Sequence, residues 1–158
     1  MALNPSCVGK SYPLSRPYPV EPEPIRRFAE AVGDPAAVYT DQQAAQALGH
    51  PSVPAPPTFP FVVVARALDE VFSYDEIGFD PTYLVHGDQC FEYARSVRVG
   101  DRLVTAVSIT GAKNLRGKDV LTLRADVADA GGEHVVTLHM TFVSLTAVRG
   151  GVGDAASR

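Results

Sequence analysis

Hydrophobic positions recur at helical spacing through the first half of this chain and at every second position from Tyr83 onward. Pro24 opens a first helical pattern in which Ile25, Phe28, Ala29 and Val32 share a face, and Gly33 is its natural stop. Asp41 is placed as the N-cap of a second, short helix with Ala44, Ala45 and Leu48 apolar and Gly49 at its end. A third pattern runs from Thr58 to Phe72, where Phe61, Val64, Ala65, Leu68, Val71 and Phe72 fall on one side and Val62 and Val63 on another. Apolar residues on most sides predict a buried helix, although the β-branched run Val62-Val63-Val64 favours strand locally. Alternation then marks strands at Val85 to Val97, Leu103 to Ile109, Leu121 to Val127 and Val136 to Phe142. Gly100-Asp101, Arg116-Gly117-Lys118-Asp119 and Ala130-Gly131-Gly132-Glu133 supply the turns between them. Four consecutive strands with short connections predict an antiparallel sheet, and a long apolar helix ahead of them predicts that the sheet wraps it in one α+β domain.

Proline changes the reading of two segments. The opening stretch to Pro24 carries Pro13, Pro17, Pro19 and Pro22, so it is expected to be extended or looped, and His50 to Pro57 is expected to be a rigid connection. The Gly-rich end, 149–158, is expected to be a frayed tail on a domain spanning 1–148.

Length and charge narrow the function. A chain of 158 residues, 46% hydrophobic, suffices for one domain with a core. A formal net charge of −4 without clustered Lys and Arg argues against nucleic acid as a partner. The apolar stretch from Phe59 to Leu68 is interrupted by Pro60 and Arg66 and is too short for a membrane span of roughly 20 residues. The first residues lack the pattern of a secretory signal, so a cytoplasmic location is expected. Cys7 and Cys90 show no paired metal spacing and are read as reduced thiols, with no metal and no cofactor implied.

One constellation carries chemistry. Phe28 through Asp34, then Tyr39-Thr40-Asp41, Ala45, Gly49 and Ala55-Pro56-Pro57-Thr58-Phe59, resembles the hydratase motif of the MaoC family, in which Gly-Asp is followed by an Asn-Pro segment, a His and a small-residue helix. Gln89 through Leu103, with its Val-Gly-Asp-Arg-Leu turn, extends the resemblance. It implies a hot-dog fold, usually assembled as a dimer with a continuous sheet, and (R)-specific enoyl-thioester hydratase or dehydratase chemistry. In catalytic members an Asp and a His five positions apart handle a water and the thioester α-carbon, a task that suits an imidazole near neutral pH. Here Gly33-Asp34 is kept, the His position is Tyr39, and Ala36-Ala37 replaces Asn-Pro. A phenol is a hydrogen-bond donor and a poor general base at pH 7.

The pattern is similar to the non-catalytic partner subunits of actinobacterial fatty-acid dehydratases and to the N-terminal half of eukaryotic hydratase-2 proteins, which carry an element like His86-Gly87-Asp88-Gln89. The resemblance implies an auxiliary subunit of a (3R)-hydroxyacyl-thioester dehydratase in fatty-acid or polyketide synthesis, acting on acyl carrier protein or coenzyme A thioesters. A MaoC-like catalytic partner would supply the Asp/His dyad in a heterodimer or dimer of heterodimers. Phe59, Phe61, Val64 and Leu68 are the candidate wall of an acyl channel at the edge of the core. An acidic carrier would need a local basic patch, for which Arg95, Arg98 and Arg102 are the candidates. Two alternatives stand beside this reading: a self-sufficient homodimer using Asp34 and His86, and a non-enzymatic acyl-binding scaffold.

Overall fold

The computed structural model describes residues 3–13 and 16–144; the expected tail at 149–158 lies outside the described residues. In chain order the elements are β1 (Ser11–Pro13), β2 (Tyr18–Pro19), α1 (Pro22–Ala31), α2 (Gln42–Ala47), α3 (Pro60–Phe72), β3 (Leu84–Tyr93), β4 (Arg102–Leu115), β5 (Lys118–Asp129) and β6 (His134–Ser144).

All three helices form where hydrophobic spacing places them. Prolines stand in the first turns of α1 and α3, where a missing N–H costs nothing. In α1, Ile25 and Ala29 are buried as expected, whereas Val32 ends the helix exposed, because the chain turns away there. The Asp41 carboxylate accepts from the backbone N–H of Gln43 and Ala44 at 2.6 and 3.0 Å, a side-chain cap for α2. Leu48 follows this helix and is exposed, contrary to its apolar placement in the pattern, since only Ala45 of α2 is buried. In α3, Val63, Val64, Ala67, Leu68 and Val71 are buried, so tertiary packing overrides the strand preference of its valine run.

The sheet is antiparallel with strand order β1-β4-β5-β6-β3, and β2 also pairs with β4. Two features differ from a simple succession of hairpins. Residues 94–101 carry the chain from β3 across to β4, so β3 pairs with β6 at the far edge rather than with the strand that follows it. The proline-rich opening, expected to be loop, contributes the short pairings Tyr12↔Val107 and Tyr18↔Leu103 to β4. Pairing of two or three residues gives too little alternation to register as a period. The β4–β5 hairpin turns through Arg116 and Gly117 at φ 53° and 80°, the pair of left-handed conformations that a tight hairpin needs.

Leu103, Val107, Ile109, Leu121, Leu123, Ala125, Leu138 and Met140 turn one sheet face toward α3, closing a core with Phe59, Val64 and Leu68. The expected architecture of an antiparallel sheet wrapped around one long helix is therefore present. β3 stands at an open edge with Tyr83 just ahead of it and Val85 and Tyr93 exposed along it.

Candidate functional site

The segment between α1 and α2 is built by three backbone devices. At the end of α1 the Gly33 N–H donates to Glu30 O at 3.1 Å and the Asp34 N–H to Ala29 O at 2.9 Å, with Gly33 at φ 76°. This reversal directs the chain out of the helix at a fixed angle and sets the Asp34 backbone. A single 3-10 turn, Ala37–Tyr39, follows, with the Thr40 N–H donating to Ala37 O at 3.0 Å. The Asp41 cap then starts α2, so Tyr39 is held between two fixed helix ends.

Tyr39 is thereby brought back toward Asp34. Partial burial pushes the phenol above its ordinary value, and the negative charge of the nearby Asp34 carboxylate adds to the shift. The segment therefore sets a carboxylate near a phenol that keeps its proton at neutral pH. Tyr39 and Thr40 also border a cavity of about 440 Å³ whose other walls come from Val53 and the first turns of α1 at Glu21, Glu23 and Arg26. Arg26 is not free to meet a ligand there, because Glu23 and Glu30 bracket its guanidinium with bonds of 2.5 to 2.8 Å.

His86 lies elsewhere. It sits on β3 opposite Phe142, with ring centroids 4.6 Å apart, and 5.0 Å from the ring of Phe61 on α3. Its contacts are aromatic, and no hydrogen bond or ion pair joins it to Asp34 within the chain. Gly87 falls at a register shift between His86 and Asp88, and the four residues His86 to Gln89 line an open hollow of about 340 Å³. A side chain at Gly87 would meet Thr141 O only at 3.5 Å, so close packing does not demand glycine here. The buried Oε1 of Gln89 has no hydrogen-bond partner among the described residues.

The four candidate channel residues separate into two groups. Phe59, Val64 and Leu68 are closed into the core at 0, 0 and 3% exposure. Phe61 is partly exposed and meets the His86 ring beside the open edge. The proposed basic patch is largely neutralised. Arg95 donates to Asp101 at 2.9 Å and to Asp129 at 3.4 Å, and Arg98 lies 3.9 Å from Asp101. Sequence spacing showed the cations and not the carboxylates that the β3-to-β4 crossing folds against them. Among the described residues no group of three or more His, Cys, Asp or Glu side chains is arranged to hold a metal, and no helix is long and apolar enough to cross a membrane. Cys7 is buried and Cys90 exposed, both as free thiols.

A sheet wrapped around a central helix, with an acid-bearing segment between two helices leading into it, defines a hot-dog domain of the hydratase and dehydratase class. The chain belongs to the MaoC-like dehydratase family: the family model described as "FAS1-like, dehydratase domain region" matches residues 6–138. A UPF0336 protein of Streptomyces coelicolor is 50% identical over 147 residues, covering 93% of this chain and 98% of that one. Among solved structures, a "MaoC-like dehydratase" superposes with a TM-score of 0.82 at 33% identity over 90% of this chain and 43% of that chain. This chain thus spans less than half of that dehydratase. The HadBC complex of Mycobacterium tuberculosis, titled a 3R-hydroxyacyl-ACP dehydratase, superposes with a TM-score of 0.77 at 25% identity, covering 87% of this chain and 97% of that one.

Proposed function

We propose that this chain is the auxiliary subunit of a (3R)-hydroxyacyl-thioester dehydratase or enoyl-thioester hydratase, acting in the cytoplasm in fatty-acid or polyketide synthesis. The observation that carries the reading is the Asp34–Tyr39 pair. Where the family motif has an imidazole, this chain holds a phenol whose proton is more tightly bound than usual. Dehydration needs a group that takes a proton at carbon and another that delivers one to the departing hydroxyl, each titrating near the working pH. Asp34 and Tyr39 supply an acceptor and a reluctant donor, without the exchangeable middle that an imidazole provides.

The missing imidazole is then the contribution of a MaoC-like partner with an intact Asp and His. Three features support such a partner. The edge of β3 is unpaired, and Tyr83, Val85 and Tyr93 are exposed there. Unpaired strand edges with apolar side chains are templates for a second sheet. The buried amide oxygen of Gln89 has no partner among the described residues. A structural relative, HadBC, is described as a complex, and the longer MaoC-like dehydratase has room for a second unit of this size. In the assembly this chain would complete the sheet, and Phe61 beside His86 would border the acyl channel of a carrier-protein or coenzyme A thioester.

Co-expression with a MaoC-like chain carrying the intact dyad tests the reading. Stable co-purification is expected, with dehydratase activity that disappears when the partner's dyad His is replaced and persists in Asp34→Asn of this chain. Failure to associate, with bound lipid on the isolated chain, would favour the acyl-binding scaffold instead. Loss of activity in both Asp34→Asn and His86→Ala, without a partner present, would favour the self-sufficient homodimer.

A further inference from the structure

A second cavity, of about 340 Å³, opens between α3 and the β2–β4 end of the sheet, and neither Asp34 nor Tyr39 nor any residue of β3 lines it. Its floor is apolar and closed: Val63, Leu103 and Tyr18 are 2, 1 and 8% exposed. Its rim is cationic. Arg16 and Arg66 stand there with a single carboxylate, Glu70. Among the described residues neither guanidinium has an ion-pair or hydrogen-bond partner; Arg66 rests over the Tyr18 ring, 4.9 Å from its centroid. Glu70 lies one helical turn from Arg66 and instead accepts from the Tyr74 hydroxyl at 3.3 Å. At the floor, Thr105 is 2% exposed and its hydroxyl has no hydrogen-bond partner among the described residues.

We infer that this cavity is a binding site for a small organic monoanion, a carboxylate on an aliphatic body. Two guanidiniums against one carboxylate leave a single positive charge at the rim, which matches a carboxylate better than a doubly charged phosphate. The walls of Val63, Leu103 and the Tyr18 ring take the aliphatic part. A space of about 340 Å³ lies at the small end of ligand pockets, which suits a short aliphatic acid such as hexanoate. The Thr105 hydroxyl, unpartnered among the described residues, offers a hydrogen bond to a ligand that carries a polar atom at its far end. Arg66 shows up in the sequence only as a charge inside an apolar run, and its companions Arg16 and Thr105 come from other segments, so spacing does not reveal the site.

The test is an amide-resolved NMR titration of the full chain with hexanoate, hexanamide, inorganic phosphate and ω-hydroxyhexanoate. Saturable hexanoate binding with shifts centred on Val63, Arg66 and Leu103 is expected, and hexanamide and phosphate should bind at least about tenfold more weakly. Arg66→Gln should weaken hexanoate by about tenfold, and Arg16→Ala, which leaves α3 untouched, should do the same. Thr105→Val should erase any preference for ω-hydroxyhexanoate over hexanoate. Equal binding of acid and amide, unchanged affinity in both arginine variants, shifts centred on Tyr39, or no saturable binding would each overturn the inference. None of these outcomes bears on dehydratase activity in the partner complex, so this inference and the proposed function stand or fall separately.

Discussion

At the residue scale the molecule uses carboxylates more for structure than for chemistry. Asp101 is the clearest case: its side chain is 7% exposed, it accepts from the Arg95 guanidinium at 2.9 Å, and it takes the Arg98 N–H at 3.0 Å. The Asp101 bond is the main reason the Arg95 guanidinium holds its proton more tightly than usual. Removing the carboxylate leaves a largely buried guanidinium short of its nearest anion and a backbone donor unmatched. Asp101→Ala is therefore expected to destabilise the fold by about 3 kcal/mol in urea unfolding. A loss well below about 1 kcal/mol would show that the Asp129 and Glu133 carboxylates suffice to hold Arg95. Thr105→Val works in the opposite direction. It removes a buried hydroxyl without a partner while keeping the shape, so the same unfolding experiment should show a gain of up to about 1 kcal/mol.

At the scale of elements, the segment that carries Asp34 and Tyr39 is defined by how α1 ends and α2 begins. α2 spans six residues and buries only Ala45, so its stability leans on the two bonds to the Asp41 carboxylate. Asp41→Ala is expected to cost about 1 kcal/mol and to loosen Tyr39 from Asp34. Amide exchange measured across 37–48 checks this, with faster exchange expected there than in α3; an unchanged pattern would mean that the 3-10 turn alone holds the segment. Much of this was legible beforehand. Asp41 as a cap, Gly33 as a stop and the two-residue period of β4, β5 and β6 all follow from local chemistry. The placement of β3 against β6 and the pairing of Tyr12 and Tyr18 with β4 were not, because they join residues far apart in sequence with no local pattern to mark them. The candidate site divided in the same way. The short turn that carries Asp34 and Tyr39 is set by the local stop at Gly33 and cap at Asp41, whereas the neutralisation of Arg95 depends on a crossing that spacing cannot show.

At the scale of the whole molecule, charge ties stability to pH in one direction. Glu23, Glu76, Asp80, Asp126 and Asp129 all sit below their ordinary values, chiefly because hydrogen bonds favour their charged forms. A carboxylate that binds its proton more weakly in the folded chain than in the unfolded one adds stability above its ordinary range, and that stability drains as pH falls through the folded value. The midpoint of thermal unfolding should therefore be flat above the ordinary 3.8 and 4.5 of Asp and Glu, and fall below them toward the value of about 2 held by Glu23. A midpoint that instead rose on acidification across this window would contradict these assignments. Among the described residues the sheet ends at the short β1 and β2 on one side and at β3 on the other, where Val85 and Tyr93 are exposed and where the proposed partner would add its own sheet.

The central claim is that this polypeptide lacks its own means of moving a proton at a thioester. Hydration of crotonyl-coenzyme A by the purified chain alone, compared with the same chain mixed with a MaoC-like partner that carries the intact dyad, measures it directly. The account predicts background rates for the isolated chain and enzyme-like turnover for the mixture. Enzyme-like turnover by the isolated chain, abolished by His86→Ala, would contradict it.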